Sequence, residues 1–284
     1  MSRQLDPPEE PQIDDDVVKH YFDGVGDAVP ATLSMMAHEH NLPLSAAQYR
    51  VSKELRIIGP WLDNVSKFGR VLDVGCGAGT WVEIFANRFR FVVGVERSAL
   101  MVEAAINRVI HLPNAQILQG DGRRDLPSGP YELIFVGGLC MYMKDSDVVY
   151  LLRSLRSRLS KGGSLILRES TAQEQTILAT GGYQAVYRNV DRYQNLFEEA
   201  GFPYTEVRWN SGYNSMLIAE ELVDFRRKWL RFLPRESQLL GYLTWVMLRI
   251  ASPITFWMLP LVLSLLKVPW PRLQNHFFKL ELPK

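Results

Sequence analysis

The stretch Val71-Leu-Asp73-Val-Gly75-Cys76-Gly77-Ala-Gly79-Thr80 constrains the fold of this chain more than any other. An apolar run reaches an acid, breaks into glycines at every second position, and passes directly into the helical pattern Trp81-Val-Glu-Ile-Phe-Ala86. This reads as a strand, a tight loop and a helix start, with bare backbone where side chains are missing. The alternation continues downstream. Strands are expected at 70–74, at 91–95 closing on Glu96, at 116–118 closing on Gly120-Asp121-Gly122, at 131–136 closing on Gly137-Gly138, and at 164–167. Helices are expected between them, with another at 190–200. Repeated βα units of this kind build a parallel sheet with helices on both faces. Two later apolar segments, 204–209 and 215–219, read as a closing hairpin.

At 284 residues the chain is long enough for one full core and an appendage. Residues 1–16 are polar, acidic and proline-rich, without the apolar core of a secretion signal, and are expected to be disordered. Ser45-Ala-Ala-Gln48 reads as a capping box, and Val51, Leu55, Ile58 and Leu62 follow at helical spacing, which predicts a helix over 45–64. The expected organisation is therefore an N-terminal helical cap (17–66), an α/β core (67–220) and a C-terminal tail (221–284). Two cysteines, Cys76 and Cys140, argue against a disulfide framework and fit a reducing, cytoplasmic setting.

In a doubly wound sheet, ligands bind beyond the carboxyl ends of the strands. Gly75, Gly77 and Gly79, then Glu96, Asp121 with Gly122, and Gly137 all fall at such ends. A carboxylate at Glu96 can accept from both hydroxyls of a ribose, and one at Asp121 can accept from an exocyclic amine, which together suggest an adenosine-containing ligand. The nicotinamide fingerprint G-x-G-x-x-G fits poorly, because the third glycine comes one position early. Asp73 beside the loop would repel a pyrophosphate, whereas it suits a ligand with positive charge.

These residues resemble the class I S-adenosylmethionine-dependent methyltransferases over about residues 68–220. The resemblance implies a doubly wound, Rossmann-like seven-stranded sheet whose last strand is antiparallel, with S-adenosyl-L-methionine as cofactor. It implies that Gly75, Gly77 and Gly79 let the backbone approach the methionine part, that Asp73 orders that loop or holds the ammonium group, that Glu96 holds the ribose and Asp121 with Gly122 frames the adenine, and that Cys76, Arg97 and Gly137 also bind the cofactor.

The acceptor side is less legible. Methyl transfer from a sulfonium needs alignment and exclusion of water, and a base only where the acceptor must lose a proton. The fourth strand end, Val136-Gly-Gly-Leu-Cys140-Met-Tyr142, lacks the Asn-Pro-Pro-Tyr pattern of amino-group methylation on DNA, and no nucleic acid is expected. Arg168-Glu169 followed by Tyr183 and Tyr187-Arg188 loosely resembles the acceptor segment of small-molecule and glycan methyltransferases. Pairing of Glu169 with Arg188 across a pocket mouth would leave Tyr183 and Tyr187 to line it. His38 is a further candidate base. The His38-x-His40 pair has no third ligand nearby, so no metal is expected.

The tail differs from the body. Residues 226–284 carry ten Lys/Arg against two acids, Glu236 and Glu281, in a chain whose net charge is +1, so the body is acidic. Leu222, Phe225, Trp229 and Phe232 recur at helical spacing among five basic residues, as in helices that lie on membrane surfaces. Residues 250–266 are uncharged but interrupted by Pro253 and Pro260, at the short limit for a span. Residues 222–270 are expected to make an in-plane or re-entrant attachment, with a homodimer interface, a buried helical cover or a true span as the alternatives. The expected function is methyl transfer to a small-molecule, glycan or lipid-linked acceptor, peripherally on the inner face of a membrane. The alternative is a non-catalytic methyltransferase-like scaffold recruited by its tail.

Overall fold

The computed structural model describes residues 2–4, 9–23, 40–268 and 270–282. In chain order the elements are β1 (Ser2–Gln4), α1 (Asp15–Asp23), α2 (Leu44–Asp63), β2 (Arg70–Val74), α3 (Thr80–Ala86), β3 (Phe91–Glu96), α4 (Ala99–Val109), β4 (Ala115–Gln119) and β5 (Tyr131–Gly137). They continue with α5 (Asp145–Arg156), β6 (Leu159–Ala172), β7 (Ile177–Ala179), β8 (Ala185–Tyr187), α6 (Val190–Glu199), β9 (Thr205–Trp209), α7 (Ser211–Trp229), α8 (Gln238–Ile250), α9 (Leu259–Leu265) and β10 (Leu273–Glu281). The chain divides into two units.

The first unit comprises Met1–Ala31, Pro60–Arg208 and His276–Lys284. Its main sheet has seven strands in the order β4-β3-β2-β5-β6-β10-β9. β2 pairs in parallel with both β3 and β5, β3 with β4, and β5 with β6. The order turns around at β2, so the crevice that such a reversal creates opens beyond the carboxyl ends of β2 and β5. Register sets the tips level there, since Val74 lies opposite Val95 on one side and Val136 on the other.

The strand sequences are apolar on both faces because both are covered. Leu72, Val74, Ile134, Val136, Leu165 and Leu167 pack toward α5 and α6, in one core with Leu152, Leu155, Tyr193 and Phe197. On the other face the Trp81 ring lies 4.7 Å from Phe135, and Phe85 lies 5.4 Å from the same ring.

The sequence reading places β2, β3 and β5 within a residue of their observed bounds, but the closing hairpin is different. Residues 215–219 are not a strand: they lie inside helix α7. Ser215 through Ala219 are all buried, and a short run that is apolar on every side does not distinguish strand from helix by period. Asn210 settles the matter locally by capping the helix, its side chain accepting from the Tyr213 amide at 3.1 Å. The strand between β6 and β9 comes from the far end of the tail. β10 brings Phe278 into the core, 5.3 Å from both Tyr193 and Phe197.

The N-terminal residues also differ from the expected disorder. Ser2–Gln4 pair antiparallel with β7, which pairs antiparallel with β8, making a three-stranded sheet. Arg192 donates to the Glu9 carbonyl, and the Ser146 amide to Glu10, so residues 9–10 are tied to the body as well.

The second unit comprises Thr32–Gly59 and Trp209–Asn275. Residues expected to form a separate cap and tail thus cluster together, and the boundaries expected at 66 and 220 fall elsewhere. Its core gathers Leu42, Ala46, Ala47, Met216, Val223, Trp245, Leu248 and Phe256. Gly241 permits close packing, because a Cβ there would collide with the Asn41 carbonyl. Asn210 links buried polar groups there, donating to Glu54 at 2.9 Å and to the Asn275 side chain at 2.8 Å. Among the described residues no single helix is long and apolar enough to cross a membrane; Gln238–Ile250 and Ile254–Leu263 pass that test together, bent by 92°.

Candidate functional site

Backbone builds the first half of the site. Gly75, Gly77 and Gly79 have φ of 69°, 52° and 77°, values that L side chains seldom adopt. The Gly75 and Cys76 amides donate to the Val95 carbonyl at 2.8 and 3.0 Å, which holds the loop against the tip of β3. Burial pushes the Cys76 thiol well above its ordinary value, and the charges of Asp73 and Glu96 act in the same direction, which keeps it in the thiol form.

Two carboxylates flank this loop. Glu96 is multiply engaged: one oxygen accepts from the Gly77 amide at 3.0 Å, the other from the Arg97 and Ser98 amides at 2.9 Å each. It therefore joins the glycine loop to the start of α4. Asp73 is 1% exposed, and its Oδ2 has no hydrogen-bond partner among the described residues. Burial pushes its carboxyl up to about 8; nearby Arg168 acts against this and Glu96 adds to it. A buried acceptor without a donor is costly unless something supplies one.

Asp121 is differently placed. Arg123 binds its carboxylate through two nitrogens, at 2.8 Å from Nη2 and 3.1 Å from Nε, and also reaches Asp15 of α1 at 2.6 Å. Burial works to raise the Asp121 pKa, but hydrogen bonds from the Arg123 side chain and amide outweigh it and hold the carboxyl below its usual range. The residue stands at the strand tip as expected, with Gly122 after it, but its oxygens are already engaged. Arg97 offers its amide to Glu96 and leaves its side chain exposed. Gly137 closes β5 at the neighbouring tip.

The acceptor side departs from the expected pairing. Glu169 and Arg188 do not bridge a pocket mouth. Both are 0% exposed, and both grip the turn after β5. Glu169 accepts from the Cys140 amide at 3.1 Å and from the Tyr193 hydroxyl at 3.3 Å. Arg188 donates to the carbonyls of Cys140 at 2.8 Å and Met143 at 2.6 Å, and to Asp145 at 2.7 Å. Burial lifts Glu169 to about 7, against the Cys140 amide and the charge of Arg188. A charge pair exposed at a mouth gains little, whereas one that satisfies three backbone groups inside the core fixes a loop.

What this clamp presents is aromatic. The Tyr183 hydroxyl lies 3.2 Å from that of Tyr142 and 3.2 Å from that of Tyr187. Burial and the two neighbouring phenols hold Tyr183 protonated, far above the ordinary tyrosine value. From α1, Tyr21 meets the Tyr183 ring at 4.9 Å and Phe22 meets Tyr142 at 5.1 Å. So α1 is anchored by Asp15 at one end and packed on the tyrosines at the other. Tyr142, Asp145, Arg123 and Asp15 escape sequence reading, because their roles follow from partners more than a hundred residues away or from a turn with no pattern of its own. His38 lies outside the described residues. His40 sits in the second unit, 3.7 Å from Glu220 and 3.6 Å from Asp224.

A reversal of strand order at β2, with a left-handed glycine loop and acids on successive tips, defines a doubly wound domain of the adenosyl-cofactor type. Residues 71–163 match a family described as a methyltransferase domain. Phosphoethanolamine N-methyltransferase 1 of Caenorhabditis elegans is 26% identical over 217 residues, covering 75% of this chain and 41% of that protein. Protein-L-isoaspartate O-methyltransferase of an Azoarcus species is 27% identical over 139 residues, 48% of this chain and 55% of the relative. The chain spans about half the length of these curated relatives, or less. Among solved structures, Haemonchus contortus phosphoethanolamine N-methyltransferase 1, in complex with phosphoethanolamine and S-adenosylhomocysteine, aligns with a TM-score of 0.60 at 18% identity, covering 95% of this chain and 49% of that one. A Leishmania major S-adenosylmethionine-dependent methyltransferase aligns at 0.56 and 19%, covering 69% and 75%. At these identities the alignments establish the fold.

The residues present fit the cofactor of this class. The buried Asp73 oxygen without a donor suits a ligand bearing an ammonium group, the loop offers bare backbone, and no phosphate-binding cation stands in the glycine turn itself.

Proposed function

We propose that this protein is an enzyme that binds S-adenosyl-L-methionine in the crevice beyond β2, β3 and β5 and transfers its methyl group to a small-molecule, glycan or lipid-linked acceptor. The observation that carries the reading is Asp73 Oδ2, buried and unpartnered beside three left-handed glycines. The cofactor supplies an electrophilic methyl group. The chain's own residues hold and orient: Asp73 offers charge to the ammonium group, Glu96 offers carboxylate oxygens to the ribose hydroxyls while keeping the glycine loop in register, and Asp121 with Gly122 bounds the adenine. The Glu169–Arg188 clamp sets the turn that carries Tyr142. Tyr142, Tyr183 and Tyr187 give the acceptor hydroxyls on an aromatic wall, and α1 shields that wall from water.

Tyr183, held protonated by burial and its neighbours, suits positioning of a polar acceptor better than removal of its proton. The second unit's apolar, basic surface supports a peripheral place on the cytoplasmic face of a membrane, where a lipid-linked acceptor would be at hand. Calorimetric titration with S-adenosylmethionine, followed by assay of S-adenosylhomocysteine release with candidate acceptors, tests the proposal. Binding without turnover on any acceptor class would favour the scaffold alternative; no binding would remove both.

A further inference from the structure

Helix α8 is apolar all round but covered on one side only. Gly241, Trp245 and Leu248 turn into the second unit's core, while Leu239, Tyr242, Leu243, Met247 and Ile250 are exposed. Beyond the elbow, Phe256 points inward and Ile254, Met258, Leu261, Val262 and Leu265 are exposed. Large apolar side chains left in water over two consecutive helices mark an interaction surface. The charges on this stretch have one sign: between residues 239 and 268 only Arg249 and Lys267 are charged, and Lys228, Arg231 and Arg235 precede it. The acids Asp224 and Glu236 are taken up by Arg227, at 3.6 and 3.2 Å.

A cavity of about 360 Å³ lies at the elbow itself, lined by Tyr49, Ser52, Lys53, Arg56, Arg249 and Ser252, with Pro253 at its edge. Three of these are cations, three carry hydroxyls, and no acid among the described residues lines it. The Tyr49 ring organises the cations: the Arg249 guanidinium lies 4.0 Å from its centroid and the Lys53 ammonium 5.4 Å. Cations held together, with hydroxyl donors beside them, are chemistry for a phosphate oxyanion. The neighbours of Arg249 and Pro253 in sequence, Ile250 and Ile254, are exposed and apolar at 80% and 53%. Cationic pocket and apolar collar therefore share one edge.

We propose that the second unit docks on a bilayer through the exposed faces of α8 and α9, and that the Lys53–Arg56–Arg249 pocket takes the phosphate of an anionic phospholipid headgroup. This deepens the membrane-surface part of the proposed function and is independent of methyl transfer. The bend of 92° suits it, since two helices meeting at such an angle can present one apolar corner to a bilayer interface.

The test is co-sedimentation of the full chain with vesicles of phosphatidylcholine alone and of phosphatidylcholine mixed equally with phosphatidylglycerol. The wild type binds the mixed vesicles at least tenfold more tightly than the neutral ones. Arg56→Glu/Arg249→Glu abolishes that preference and leaves binding to neutral vesicles unchanged, whereas Arg90→Glu/Lys161→Glu, an equal charge change on the first unit, keeps most of it. Met247→Glu/Ile254→Glu loses binding to both kinds of vesicle. Wild-type binding to both vesicles without preference would overturn the pocket while the membrane reading stands. No binding to either would overturn both. A dimer in solution that Met247→Glu/Ile254→Glu dissociates, without vesicle binding, would assign the face to a second copy and overturn the proposal. Equal loss in both charge-change variants would reduce the pocket to general attraction and overturn it too.

Discussion

The two halves of the crevice are built from different materials. On the cofactor side, backbone does the holding: left-handed glycines, amides aimed at Glu96, and a carboxylate left without a partner at Asp73. On the acceptor side, buried side chains do it: Glu169 and Arg188 satisfy the turn between Cys140 and Met143 so that Tyr142 can meet Tyr183. A backbone cradle tolerates changes around it and fails when a glycine is replaced. A side-chain clamp fails whenever any one member is lost, because each leaves another polar group buried and unpaired.

The contrast can be broken at its strongest point first. Arg188→Ala strips two carbonyls and Asp145 of a buried donor, and is expected to cost about 3–5 kcal/mol of stability. The melting temperature should fall by roughly 10 °C, with activity lost alongside. A fully stable Arg188→Ala protein would show that the turn holds itself.

On the cofactor side, Glu96→Ala should leave the melting temperature far less changed but weaken S-adenosylmethionine binding by about 100-fold, read by calorimetry, since one carboxylate serves the loop and both hydroxyls. Loss of folding instead would make Glu96 a structural brace.

The pH dependence separates Asp73 from Glu169. The Asp73 carboxyl stands at about 8 in the folded protein against an ordinary value of 3.8. Between those values the folded chain keeps a proton that the unfolded chain has released, so stability falls as pH rises toward 8 and levels off above it. Glu169, raised to about 7, acts with the same sign only below that value, and neutral His276, lowered to about 4, acts with the opposite sign below its ordinary 6.5. From pH 7 to 8 the slope therefore belongs to Asp73. Melting curves of the cofactor-free protein should show it, and Asp73→Asn should flatten it while weakening the cofactor. An unchanged slope in the variant would place the titrating group elsewhere.

The smallest effects come from groups already engaged or replaceable. Tyr183→Phe should raise the acceptor KM about fivefold with cofactor affinity unaltered. Asp121→Ala should weaken cofactor binding by about threefold, less than Glu96→Ala, because Arg123 already holds most of that carboxylate.

Local pattern was enough to place the strands, loop and acids proposed to hold the cofactor. An apolar run ending at Asp73, glycines at alternate positions, and acids closing the next two strands are contiguous signals, and each is read within one βα unit because chain connectivity alone brings its parts together. Sequence also marked Glu169, Arg188, Tyr183 and Tyr187 as belonging to one region, but it misjudged the first two. Their pairing with a turn some 30 to 50 residues away, inside the core, leaves no periodic trace.

Tertiary structure alone decided the rest. β10 enters the sheet between β6 and β9 from the last residues of the tail, so its place depends on which sheet edge is free rather than on any turn signal. Residues 215–219 became helix because burial on every side erases the period that would tell helix from strand. The apolar stretch from 239 to 268 could be counted from the sequence, but its bend at Pro253, and the cations that the bend gathers around Tyr49, exist only once the helices have packed. Short-range chemistry is written along the chain; the burial of charge and the closing of a sheet are set by which distant surfaces meet.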